Sequence, residues 1–183
     1  RKLPLVKGVA FPSFLRVVEP IGGREEQLPG RMENPAQFGE KPLGNTGDGI
    51  VIIDSPSNTV GGVVDEAHSI LPRNVIAGSI HGVFIGGDNA RKNQVLGNFI
   101  GTDETGTTAI KNGVGVYLDN YKHQNADDRN ILGGSTFEER NVISGNETGV
   151  LIFGSEYTIS GNFIRTNAAG TAALGNTSGG ILD

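Results

Sequence analysis

Gly82-Val83-Phe84-Ile85 and Gly115-Val116-Tyr117-Leu118 carry one pattern, a glycine followed by a short β-prone apolar run. The pattern recurs as Gly49-Ile50-Val51-Ile52, Gly149-Val150-Leu151-Ile152 and Gly180-Ile181-Leu182, so the five glycines lie 33, 33, 34 and 31 positions apart. A near-constant period of this size marks a repeat architecture. Two further elements recur between the copies. One is Asn58-Thr59-Val60, Asn93-Gln94-Val95, Asn130-Ile131-Leu132 and Tyr157-Thr158-Ile159. The other is Asn74-Val75-Ile76, Asn98-Phe99-Ile100, Asn141-Val142-Ile143 and Asn162-Phe163-Ile164.

Each period therefore holds three runs, rich in Val, Ile and Phe and bounded by Gly or Asn. Such runs are too short for helices and read as strands. Leucine-rich repeats would show spaced leucines and a helix per unit, and neither is present. The prediction is an all-β fold, a right-handed parallel β-helix with three short strands per coil and four to five coils in residues 46–183. Coils ~4.8 Å apart would stack equivalent side chains. Val60, Val95, Leu132 and Ile159 should form one inward column, and Ile76, Ile100, Ile143 and Ile164 another. Asn74, Asn98, Asn141 and Asn162 should form a structural amide ladder at a corner, where Asn also tolerates left-handed backbone.

The loops alternate. Odd coils carry an insertion before the third strand, at residues 63–73 and 135–140. Even coils carry it after the third strand, at residues 101–113 and 165–179. The even loops match each other, Thr102-Asp103-Glu104-Thr105-Gly106-Thr107 against Thr166-Asn167-Ala168-Ala169-Gly170-Thr171. The true unit is thus a pair of coils. Residues 1–45 diverge: Gly8-Val9-Ala10-Phe11 reads as the start of an earlier coil, Arg16-Val17-Val18 as its second strand, and 22–44 as a long loop rich in charge, Pro and Gly. The chain reads as a fragment of a longer solenoid, with self-association through uncapped ends as the alternative.

Composition agrees with a narrow core. Of 183 residues, 36% are hydrophobic and 6% aromatic, too few for a wide globular interior. The 29 glycines have no three-residue period, which excludes collagen. A net charge of −5 without a basic run argues against a nucleic-acid partner. No apolar stretch approaches the ~20 residues of a membrane span. Zero cysteines exclude disulfides and thiol chemistry.

Asn98-Phe99-Ile100-Gly101-Thr102-Asp103, Asn130-Ile131-Leu132-Gly133-Gly134 and Arg140-Asn141-Val142-Ile143-Ser144-Gly145-Asn146 resemble the parallel β-helix repeats of bacterial secreted and cell-surface proteins of the pectin-lyase-like superfamily. The resemblance covers roughly residues 46–183. It implies an extracellular or cell-surface location, and either a non-catalytic structural or glycan-binding segment or, alternatively, a polysaccharide lyase or glycoside hydrolase. The fold hosts all of these, so the choice rests on the residues.

Hydrolysis would need two or three clustered acids. Asp127-Asp128 is the adjacent aspartate pair of the repeat region, and with Arg129 it supplies the catalytic candidates. They lie in an insert with Tyr121 and His123, which also reads as a solvated loop shaped by Asx turns. The Gly-His-Gly and Arg-x-Lys signatures of the hydrolases are absent. Elimination would need an Arg or Lys base, with Arg129, Arg140 and Lys122 as candidates, beside Ca²⁺ held by carboxylates. Carboxylates do not recur at one stacked position, and Asp103-Glu104 becomes Asn167-Ala168 in the matching loop. No cofactor is expected, and Ca²⁺ is the one metal the resemblance suggests. The histidines, His68, His81 and His123, are not spaced as a zinc pair, and His81 reads as a surface corner residue. Tyr117, Tyr121 and His123 are the candidate sugar-binding residues, Tyr117 on the outward side of its strand. Asn146-Glu147-Thr148 and Asn176-Thr177-Ser178 match the glycosylation triplet, a pattern frequent by chance in such a chain.

Overall fold

The structure is a computed structural model that describes residues 14–17, 44–62, 73–120, 126–155 and 157–183. Among the described residues, fourteen strands form three sheets. Coil one holds β2 (Ile50–Ile53), β3 (Thr59–Gly61) and β4 (Val75–Ile76). Coil two holds β5 (His81–Gly86), β6 (Gln94–Leu96) and β7 (Phe99–Ile100). Coil three holds β8 (Val114–Asn120), β9 (Asn130–Gly133) and β10 (Val142–Ile143). Coil four holds β11 (Thr148–Gly154), β12 (Tyr157–Ser160) and β13 (Phe163–Ile164), and β14 (Gly179–Leu182) begins the next turn.

The first strands of successive coils pair in parallel as β2-β5-β8-β11-β14, the second as β3-β6-β9-β12 and the third as β4-β7-β10-β13. This is a three-sided parallel β-helix, as the repeats predict. Both predicted columns are in register. Val60 pairs with Val95, Val95 with Leu132 and Leu132 with Ile159. Ile76 pairs with Ile100, Ile100 with Ile143 and Ile143 with Ile164. The first sheet adds Ile52-Ile85-Leu118-Ile152 and Ile50-Val83-Val116-Val150. Together they make one continuous apolar core. Burying each such aliphatic chain contributes roughly 1.5–3 kcal/mol, so the narrow core is stabilised by stacking rather than by width.

β1 (Phe14–Val17) lies antiparallel on β2, with Phe14 opposite Ile53 and Val17 opposite Ile50. Its direction is opposite to that of a coil strand, so Arg16 and Val17 extend the first sheet and shield its edge. Gly8-Val9-Ala10-Phe11 falls outside the described residues.

Asparagines satisfy the backbone at all three corners. Asn74 donates to Asn98, Asn98 to Asn141 and Asn141 to Asn162, at 2.8, 3.0 and 2.9 Å. A second ladder runs from Asn58 to Asn93 to Asn130, at 2.9 and 3.0 Å. A third runs from Asn112 to Asn146 to Asn176, at 2.9 and 3.3 Å. Ser79 occupies the position above it, where its N–H donates to Asn112 Oδ1 at 2.9 Å.

The even loops are twins in geometry. Asp103 Oδ1 accepts the Thr107 and Thr108 N–H groups, and Asn167 Oδ1 accepts those of Thr171 and Ala172. Thr102 bridges Ala109 as Thr166 bridges Ala173. The loops also touch: Ala168 N–H donates to the Gly106 carbonyl at 2.9 Å, across the coil between them.

Candidate functional site

The strands of the first sheet alternate, so Val83, Ile85, Val116 and Leu118 point into the core and Phe84 and Tyr117 point out. Phe84 and Tyr117 are register partners on β5 and β8. Their ring centroids are 5.1 Å apart at 69°, and Phe153 of β11 lies 5.8 Å beyond Tyr117 at 64°. These edge-to-face contacts fix the rings in a diagonal strip across three coils. Phe153 is 43% exposed and Ile53, on β2, 42%.

His81 closes the strip at the start of β5, 5.1 Å from the Tyr117 ring. Its Nδ1 lies 2.7 Å from Asp48 Oδ1, which also accepts the His81 backbone N–H at 3.2 Å. A carboxylate can only accept, so Nδ1 carries the hydrogen and Nε2 is the acceptor nitrogen of the neutral ring. Sequence reasoning placed His81 at a surface corner and missed its carboxylate, which lies one coil away.

The acid pair is arranged differently. Asp127 and Asp128 end a 3-10 turn, Ala126–Asp128. Successive residues of such a turn project ~120° apart. Asp128 Oδ1 lies 3.2 Å from Lys92 Nζ, and Lys92 N–H donates to the Asp128 carbonyl at 3.1 Å. Asp127 and Arg129 are exposed on the same turn. Tyr121, Lys122 and His123 lie outside the described residues. The insert at 135–140 leaves from the other end of β9, a strand roughly 13 Å long. Its Glu139 Oε2 accepts the Ser135 and Thr136 N–H groups at 2.8 and 3.0 Å, while Glu139 N–H donates to Thr136 Oγ1 at 3.3 Å. That is a capping box closed on itself, and the Thr136 backbone bond foremost holds the carboxyl below its ordinary value. Asp128 and Glu139 are thus each engaged locally.

Asp103 is likewise engaged by Thr105 Oγ1, Thr107 N–H and Thr108 N–H. Among the described residues no group of three or more His, Cys, Asp or Glu could hold a metal ion, and no helix is long and apolar enough to cross a membrane. Asn146 and Asn176, the triplet asparagines, are 0% and 1% exposed with their amides in the third ladder, so neither is accessible to a glycan in the folded state.

A second cluster lies outside the third sheet. Arg73 stacks on Phe99 at 5.0 Å and on Phe137 at 5.6 Å; Arg140 stacks on Phe137 at 5.7 Å and on Phe163 at 4.2 Å. The loop glycines Gly106 and Gly170 press against the Phe99 and Phe163 rings. A sequence signal for this stack exists: Arg73-Asn74-Val75-Ile76 and Arg140-Asn141-Val142-Ile143 are the same tetrapeptide.

Comparison of the sequence with protein-family models, with curated proteins and with solved structures gave no match. The class that the fold defines is therefore the parallel β-helix.

Proposed function

We propose that this is a glycan-binding segment of an extracellular or cell-surface protein, of the pectin-lyase-like kind, that holds its ligand without cleaving it. The observation that carries the reading is the strip of Phe84, Tyr117 and Phe153 rings on the outer face of the first sheet, with His81 beside it. Sugar rings present apolar C–H faces that suit aromatic surface, and their hydroxyls suit an acceptor such as His81 Nε2. Rings held on strands lose little further freedom on binding. The strip crosses coils, so it suits an extended chain better than a single sugar. The engagement of Asp128 by Lys92 and of Glu139 by its own loop favours binding over hydrolysis, which needs acids free to act on substrate.

Calorimetric titration with neutral and acidic oligosaccharides tests this. Binding should require several linked sugars, and Tyr117→Ala should weaken it about tenfold or more, a base-stacking-sized loss. Cleavage of pectin or alginate, abolished by Asp127→Asn with Asp128→Asn, would replace this reading with the enzyme reading. Binding indifferent to Tyr117→Ala and Phe153→Ala would remove the proposed face.

A further inference from the structure

The stack of Arg73, Arg140 and three phenylalanines lies on the third sheet, away from the aromatic strip. Its arginines have an unusual charge setting. The chain carries 20 acidic residues against 15 Lys and Arg, yet among the described residues neither guanidinium has a carboxylate at ion-pair distance. Glu139, adjacent to Arg140, is turned into its own capping box. Glu138 acts on Arg73 electrostatically without an ion-pair contact. Both guanidiniums stack on the Phe137 ring, and Arg73 Nη1 also donates to the Arg140 backbone carbonyl at 3.1 Å. Burial foremost disfavours the charged form of Arg73; the Glu138 charge next favours it, and the Arg140 charge, a smaller effect, disfavours it. Two like charges flanking one ring, neither of them in an ion pair among the described residues, favour an incoming anion.

The donors are available in number. Arg140 uses Nε on the Gly161 carbonyl at 2.7 Å, and Arg73 uses one Nη1 hydrogen on Arg140. A guanidinium has five N–H donors in a planar fork, so each retains donors for an oxyanion. The fork is fixed by stacking on Phe99 and Phe163, which removes most of the entropic cost of ordering it. Phe137, between the two arginines, remains 56% exposed. It places apolar surface beside the charge.

We infer that Arg73 and Arg140, braced by Phe99, Phe137 and Phe163, form a binding site for an organic oxyanion, a carboxylate or sulfate ester borne on an apolar or sugar framework. The exposed Phe137 ring favours such a ligand over a free inorganic ion. The site is distinct from the Tyr117 face, and one can fail without the other.

The test uses NMR titration of the intact chain with phenyl sulfate, benzoate and inorganic sulfate at equal ionic strength. Phenyl sulfate or benzoate should shift the Phe137 ring resonances saturably, and at lower concentration than inorganic sulfate. Arg140→Gln should weaken binding about tenfold, the loss of one charge-assisted bond, whereas Tyr117→Ala should leave it unchanged. Should Arg140→Gln unfold the chain, Arg140→Lys carries the test: it keeps the charge, loses the fork and should bind detectably less well. No saturable shift in the native chain, or equal affinity in a folded Arg140→Gln or Arg140→Lys variant, overturns the site and leaves a structural stack. Tighter binding of inorganic sulfate than of both organic anions overturns the assigned ligand class.

Discussion

Asn98 is bonded twice to one atom of Asn141: the Asn141 Oδ1 accepts its backbone N–H at 2.9 Å and its side-chain amide at 3.0 Å. The Asn98 amide also donates to the Val60 and Leu96 carbonyls, each at 3.0 Å. One side chain thus connects three coils. Asn98→Ala would leave those acceptors short of donors in a fully buried corner. It should cost about 2–4 kcal/mol in urea unfolding, more than one ordinary hydrogen bond. Asn74→Ala, at the end of the ladder with one amide bond among the described residues, to Asn98, should cost about 1 kcal/mol. Equal losses at the two positions would show that the ladder does not act as a chain.

The column of glycines at the start of the first sheet should resist substitution. A Cβ on Gly115 would stand 2.6 Å from the Gly149 carbonyl oxygen, 3.0 Å from Asn146 Nδ2 and 3.1 Å from Ile143 Cγ2. The carbonyl belongs to a strand and cannot rotate away. Gly115→Ala should therefore destabilise by about 1–3 kcal/mol, as overpacked cores do. A melting temperature equal to that of the native chain would mean that the coils can spread.

Ile143 is fully buried between Ile100 and Ile164. Ile143→Ala should cost about 2–5 kcal/mol through lost burial and a trapped cavity. Ile164→Ala, at the half-buried end of the same column, should cost clearly less in chemical denaturation. The reverse order would contradict a core that is continuous through coil three.

The Asp103 turn should respond to acid. Burial pushes its carboxyl up, but hydrogen bonds from Thr108, Thr105 and Thr107 outweigh that and hold it below the ordinary 3.8. A depressed folded value means the carboxylate's contribution is complete above pH ~3.8 and fades as pH falls through the folded value. Amide exchange at Thr107 and Thr108 should accelerate over that acid window. Asn167 fills the same position with an amide, so Asp103→Asn should keep the turn and remove its acid sensitivity. Asp103→Ala should open it at all pH values.

The sheets and both predicted columns were legible in the sequence because each coil repeats the same short strands at one period. Two of the three corner ladders were marked by asparagines before those strands, though the Asn58-Asn93-Asn130 amides read only as part of a strand motif. The third was hidden because Ser79 interrupts it and because Asn112 and Asn146 fall in loops, three residues before Gly115 and Gly149. The arginine stack was hidden for another reason. The repeated Arg-Asn-Val-Ile marks the two arginines, but not their partners: Arg73 and Arg140 meet Phe99 and Phe163 of the following coils, and the period does not say which side chains of different coils touch. The same holds for His81 and Asp48.

The bond from Ala168 to Gly106 skips a coil, and this restricts how the molecule can change length. Removing one coil would leave an even loop facing an odd insert, with neither its twin nor an arginine to meet its phenylalanine. Removing or adding two coils would keep the faces in phase. Growth and shortening of this solenoid should thus proceed in steps of two, like stairs laid two treads at a time.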